Sequence, residues 1–487
     1  MSVRICGVVA WLGLAACGGS PEEGAVSTAL EAQDSREVEA QACPPGVASR
    51  VKIVIPPTPA SNKTMKGLTP VQGTLYFATN DILPEPSTLW RSDGTEAGTV
   101  PVRTFPYGYG EFRDPVAVGS RLFFQLGSPA TGNELWVSDG TSSGTRLVED
   151  ITAGPNGSTL LNPVSLNGRL VFFREGTGTT DTELWRSDGT ASGTLRVRVV
   201  SGTQALYNRL TLQVGGALLF FRDEATGTRL WRTNGMLAGT EAVLQLSSRQ
   251  VPIHQVAQAG NLGLFILQNG PNYQVWKTDG TAQGTVLLDA FGRYVKILGV
   301  LGSRVYLASI DPDSQQMRIQ SLLLSGGGKA SVATLPQYSE DDFPFVQNTA
   351  TSGGSLYFAV GHLVDGPAPE TVELWATDGT PSGTRRLFAS LYRNDEIYSP
   401  VFATGEGVVL FNGSPLDDFV EPWFTRGTVA TTGRLVATRP GTRVFGGNEF
   451  TRMGSRVYFT LYDDTERSQL WSAPASFTCP PRLSEAR

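Results

Sequence analysis

Glu134-Leu135-Trp136-Val137-Ser138-Asp139-Gly140-Thr141-Ser142-Ser143-Gly144-Thr145 is the stretch that decides the fold, because the chain keeps returning to it. The phrase runs again from Glu183 to Thr194 and from Glu373 to Thr384. Looser copies run from Thr88 to Thr99, Arg229 to Thr240 and Gln274 to Thr285. Its tryptophan sets a period. After Trp11 come Trp90, Trp136, Trp185, Trp231, Trp276, Trp375, Trp423 and Trp471, spaced 45 to 49 residues apart except for one double step of 99. About a dozen residues upstream of each lies a short, mostly aromatic run: Leu75-Tyr76-Phe77, Leu122-Phe123-Phe124, Val171-Phe172-Phe173, Leu219-Phe220-Phe221, Leu264-Phe265-Ile266, Leu356-Tyr357-Phe358, Val409-Leu410-Phe411 and Val457-Tyr458-Phe459. Val305-Tyr306-Leu307 falls inside the double step, which makes nine units. The sixth is degenerate, with Gln320 to Leu324 where the tryptophan strand belongs.

Each unit divides into four short β-type runs separated by turn residues, as in Pro163 to Leu166, Arg169 to Phe173, Glu183 to Arg186 and Thr194 to Val199. Short, evenly spaced strands with one aromatic motif per unit predict an all-β fold, a β-propeller of four-stranded blades. A parallel β-helix repeats over fewer residues, a sandwich does not repeat its sequence, and the Gly, Thr and aromatic content excludes an α-solenoid. Nine units give nine blades, or eight if the degenerate sixth is an insertion.

Asp-Gly favours a chain reversal with positive φ, and Asp and Thr side chains bond nearby backbone amides. Asp93, Asp139, Asp188, Asp279 and Asp378 are therefore read as turn residues. A calcium ladder would need shorter repeats with several carboxylates close together. The phrase resembles that of the ELWxxDGTxxGT repeat proteins, exported bacterial proteins, and the resemblance spans about Leu75 to Trp471. It departs at Asn234-Gly235-Met236, in the sixth unit and at Arg426-Gly427-Thr428. The resemblance implies a propeller-like fold and no particular chemistry.

At the N-terminus, Arg4 precedes an apolar run that closes on Leu14-Ala15-Ala16-Cys17. This reads as an export signal over 1–16, too short to span a bilayer. The segment resembles the lipobox of bacterial lipoproteins, which makes Cys17 the expected lipid-bearing residue and places the protein in the cell envelope, at the outer membrane or cell surface. Residues 17–42 are small and acidic, with Glu22, Glu23, Glu31, Asp34, Glu37 and Glu39 against Arg36. Such a stretch buries too little apolar surface to offset its chain entropy and is expected to be a tether. The propeller is expected over 43–480, with a tail at 481–487.

The last unit stops after Leu470-Trp471-Ser472 without an outer strand. Ser49 to Ile55 has the pattern of one, and pairing it there would remove an unpaired sheet edge. Cys43 and Cys479 flank the two strands so joined, and an oxidising compartment permits a disulfide between them, worth about 2–4 kcal/mol.

Antiparallel strands put the turns after strands one and three on one face of the disc, and the longer connections after strands two and four on the other. Loops of the second kind carry acidic and aromatic residues, and Tyr107, Tyr109, Asp341, Asp342, Asp395, Glu396, Asp417 and Asp418 form the candidate binding face. Protein and carbohydrate ligands both fit it. The formal net charge of −6, without a basic stripe, excludes nucleic acid as a partner. No catalytic residue, metal ligand set or cofactor motif is assigned. Only His254 and His362 occur, without metal-ligand spacing. His254 reads as a packed strand residue and His362 as a solvated loop residue. A monomeric, non-catalytic binding or scaffolding lipoprotein is the expected function. The alternative is a propeller enzyme, either a glycosidase or lyase using loop carboxylates or a quinone-dependent dehydrogenase, and an accessible pocket with convergent polar groups would distinguish it.

Overall fold

The computed structural model describes residues 47–57, 63–80, 86–175, 181–203, 210–339, 342–363, 371–391, 400–416, 419–436 and 445–477. These form nine antiparallel four-stranded sheets, each a blade, arranged in a ring. First strands of neighbouring blades lie side by side around the axis, and the fourth strand of each blade is outermost. The sixth unit is a full blade, of strands Val295–Leu301, Arg304–Ile310, Met317–Leu323 and Ala330–Thr334. The ring therefore has nine blades, because the backbone pattern survives where the tryptophan is lost.

The second and third strands carry the repeat. Their register sets the second-strand aromatic opposite the tryptophan, as in Phe77 with Trp90, Phe172 with Trp185 and Phe265 with Trp276. These rings stack at centroid distances of 6.2, 6.4 and 6.0 Å. In the eight blades that carry a tryptophan, the aromatic pairs wedge the blade against its neighbour in a core of buried Leu, Val and Phe side chains.

The Asp-Gly-Thr turn is a closed hydrogen-bond circuit. Asp139 Oδ1 accepts from Thr141 N (2.9 Å) and Thr141 Oγ1 (2.7 Å), and Gly144 N donates to Thr141 Oγ1 at 2.9 Å. Gly140, at φ +88°, occupies the left-handed region, and a Cβ there would collide with the Tyr76 hydroxyl of the preceding blade. A Cβ on Gly144 would collide with the Asp139 carboxylate, which explains the second glycine. The Ser or Thr before the Asp forms a second contact, which sequence reasoning missed. Ser138 Oγ lies 2.7 Å from Thr145 Oγ1, both residues are buried, and the same pair recurs as Ser92 with Thr99 and Thr377 with Thr384.

The ring closes as expected. Ser49–Lys52 pairs antiparallel with Ser468–Pro474, setting Ser49 opposite Ser472 and Arg50 opposite Trp471, and supplies the outer strand of blade 9. Buried Gln469 extends the join. Its Oε1 accepts from Val54 N (2.8 Å) and Ile55 N (3.2 Å), while its Nε2 donates to Ile55 O (2.7 Å). Lys52 Nζ then reaches across to blade 1, donating to Thr99 O at 2.8 Å, much as Arg198 donates to Thr240 O between blades 3 and 4. Cys43 and Cys479 lie outside the described residues.

Replacing Gln469 with alanine strands two buried backbone N–H groups and should destabilise the join by about 2–5 kcal/mol. Hydrogen exchange should then accelerate at Arg50–Ile55 and Ser468–Ser472 while other blades stay protected. Uniform exchange across all blades would contradict this account of closure.

Candidate functional site

The glutamate of the phrase stands two residues before the tryptophan and so shares its face of the strand. In blade 3, Trp185 Nε1 donates to Glu183 Oε2 at 2.9 Å. Arg196, opposite Trp185 on the outer strand, donates to Glu183 Oε1 at 2.7 Å, and buried Arg174 donates to Oε2 at 2.8 Å. Blade 8 pairs Arg434 with Glu421 at 3.0 Å. In blade 9, Asp463 accepts from Trp471 Nε1 at 2.9 Å and from Arg50 Nη1 at 2.9 Å. The closing strand thus delivers the same arginine to the same place opposite its tryptophan. Asp463, although it lies in the loop between the second and third strands of blade 9, is buried in this role.

Blade 7, made of Phe343–Ser352, Ser355–Leu363, Thr371–Thr377 and Arg385–Phe388, enlarges the group into a network. Glu373 accepts from Trp375 Nε1 (2.8 Å), from Arg386 Nη1 (2.8 Å) and from the Tyr338 hydroxyl. His362 lies between two carboxylates, with Nδ1 2.8 Å from Asp342 Oδ2 and Nε2 3.5 Å from Glu373 Oε2. The shorter contact is the stronger one. Tyr338 crosses the imidazole edge-on at 4.7 Å, and its backbone N–H donates to Asp342 Oδ2 at 3.1 Å. Exposure is 1% for His362, 2% for Glu373 and 3% for Asp342, so the cluster is sealed.

Burial disfavours charge on both His362 and Glu373, but partners outweigh it. Hydrogen bonds and the charges of Glu373 and Asp342 hold the His362 pKa above its ordinary value. Donors from His362, Tyr338, Arg386 and Trp375 pull Glu373 down to about 2. His362 and Arg386 thus face the carboxyl groups of Asp342 and Glu373. The arrangement ties the connection between blades 6 and 7 to blade 7, and substrate has no access to its reactive atoms.

The expected face residues fare unequally. Tyr107 is 65% exposed, while Tyr109 is half-buried and packs edge-on against Trp136 at 6.1 Å. Asp342 is not displayed on the face; it is drawn inward by His362 and the Tyr338 amide. Asp341, Asp395, Glu396, Asp417, Asp418 and Cys17 lie outside the described residues. His362, expected in a solvated loop, is the penultimate residue of a strand and is buried. His254 sits in a strand as expected but is exposed, with Nε2 2.7 Å from Gln268 Oε1. The turn residues Asp93, Asp139, Asp188, Asp279 and Asp378 are held below the usual carboxylate range, chiefly by the threonine hydroxyl two residues on. The recurring Glu-x-Trp with a basic residue in the outer strand was the signal that could have revealed the buried ion groups.

No protein-family model and no curated protein sequence matches the chain. Solved propeller proteins resemble it at low identity. A prolyl endopeptidase is 12% identical with a TM-score of 0.43, the match covering 91% of this chain and 61% of that one. An oligogalacturonate lyase in complex with manganese is 13% identical with a TM-score of 0.37, covering 63% and 85%. The β-propeller domain of the Trilobed protease from Pyrococcus furiosus, which has an open velcro topology, is 11% identical with a TM-score of 0.35, covering 66% and 99%. The chain spans about six tenths of the length of the prolyl endopeptidase.

The signs of the two shifts define a pH window. The raised His362 pKa contributes stability that is full below its unfolded value near 6.5 and lost as pH rises through the folded value. The lowered Glu373 pKa contributes stability that is full above its unfolded value near 4.3 and lost as pH falls towards about 2. The melting temperature should therefore peak at about pH 5–6. His362→Gln should cost about 2–4 kcal/mol there and flatten the alkaline limb, with a weaker acid limb as well because Glu373 loses one of its donors. An unchanged alkaline limb in thermal melts would refute the assignment.

Proposed function

We propose that this chain is a non-catalytic binding or scaffolding propeller of the bacterial cell envelope, lipid-anchored through Cys17 and akin to the ELWxxDGTxxGT repeat proteins. One observation carries the binding role. Three large aromatics are exposed among the described residues: Tyr107 (65%) and Tyr338 (47%) lie in connections between one blade's outer strand and the next blade's inner strand, and Phe343 (42%) opens the inner strand that follows the second of these. The face bearing these connections therefore presents flat amphipathic surface, the kind that packs on a protein or on the face of a sugar ring. The buried state of the His362 cluster supports a structural task for it and leaves recognition to that face.

Two experiments test the proposal. Labelling cells with a fatty-acid analogue should tag the wild-type chain and leave Cys17→Ser untagged; label on the variant would exclude the anchor. Recovery of envelope partners or glycans on the immobilised mature chain should fall at least about fivefold for Tyr107→Ser combined with Phe343→Ser, since exposed aromatic anchors each carry about 1–2 kcal/mol. Full recovery by a folded double variant would rule this face out.

A further inference from the structure

Blade 6 is the one blade among the nine described that lacks the tryptophan. The position of the tryptophan is held by Gln320, which lies opposite Leu307 where Trp90 lies opposite Phe77. Gln320 Nε2 donates to Ser309 Oγ at 3.0 Å, as Trp90 Nε1 donates to Thr79 Oγ1 at 3.1 Å, so the hydrogen bond is kept and the ring is lost. Two residues earlier, at the glutamate position, stands Arg318. Opposite Gln320, where blades 3, 7, 8 and 9 carry arginine, stands Ser331.

These exchanges open a cleft of about 410 Å³, within the range of small-molecule sites. Ser309, Arg318, Gln320, Lys329 and Ser331 line it with donors, Asp311 adds one carboxylate, and the Phe291 ring forms an apolar wall. Arg318 Nη1 pairs with Asp311 Oδ2 at 2.7 Å, which orients a guanidinium that has five N–H donors in all. Lys329 pairs with Asp289 at 2.9 Å and stands 4.4 Å from the centroid of Phe291.

We propose that this cleft binds a small carboxylate bearing a planar ring. In blades 3 and 7 the same position is filled from the chain by an indole and a carboxylate facing an outer-strand arginine. Blade 6 supplies no indole; its strand position for the acid holds the cation Arg318, and the one carboxylate lining the cleft is Asp311, paired with that guanidinium. A ligand carrying a ring and a carboxylate is complementary: its carboxylate meets the remaining N–H donors of Arg318 and Lys329 beyond those that Asp311 and Asp289 engage, and its ring takes the place of the absent indole over Gln320 beside Phe291.

Titration by calorimetry or NMR with indole-3-acetate as the probe should give saturable binding, with a dissociation constant of about 0.1–5 mM. Indole-3-ethanol, which has the ring without the charge, should bind at least about fivefold more weakly, and Arg318→Gln should weaken the acid by a similar factor. Gln320→Trp refills the cleft and should abolish binding. Absence of saturable binding, equal affinity for acid and alcohol, or unchanged affinity in folded Arg318→Gln or Gln320→Trp protein would each overturn the site. Loss of the exposed aromatics Tyr107 and Phe343 should leave indole-3-acetate binding intact, which separates this result from the partner-binding test.

Discussion

An unpaired strand edge is the constraint on which the ring depends. Eight blades draw all four strands from one continuous stretch, and the ninth would end in open N–H and C=O groups. Ser49–Lys52 occupies that edge. Its side chains also complete blade 9 in the idiom of the others, Arg50 on the tryptophan's acid and Lys52 on the next turn. A strand from the far end of the chain thus meets the requirements that local outer strands meet elsewhere, in hydrogen bonds, charge and neighbour contact.

Between blades, the recurring unit couples an aromatic wedge to a buried charge group. The tryptophan fills volume against the second-strand ring, and its N–H needs an acceptor once buried. In blades 3, 7 and 9 an acid supplies one and then requires a cation, which the outer strand provides. This chain of necessity explains why glutamate, tryptophan and arginine occur together, and why His362 and Tyr338 could be recruited in blade 7 without disturbing the blade. Blade 6 departs from this: with the ring gone, its acid Asp311 pairs with Arg318 of the third strand, and the outer strand carries Ser331 in place of an arginine.

Much of the fold was legible because blades repeat, and repetition converts weak local signals into one period. The spacing of Trp90 to Trp471, the glycines of the turn and the odd strand at Ser49 were enough to infer the circle and its closure. Side-chain partnerships were harder. Asp342 and His362 are separated by twenty residues and by a chain reversal, so their pairing is a property of register that acidic composition cannot reveal. Acidity in a loop looks the same whether the carboxylate faces water, as for Asp464, or turns inward, as for Asp463. Likewise Ser138 and Thr145 read as ordinary turn polar residues until their hydroxyls are seen to meet.

The closing strand also has a temporal meaning. Every other blade is assembled from residues that leave the ribosome in immediate succession, so its pairings involve short loops and form early. Arg50 and Asp463 are 413 positions apart, and their sheet cannot exist until the residues of all the other blades have been made. Ser49–Lys52 must wait, unpaired, for Ser468–Pro474, and the long loop that their pairing closes makes blade 9 the slowest of the nine sheets to form.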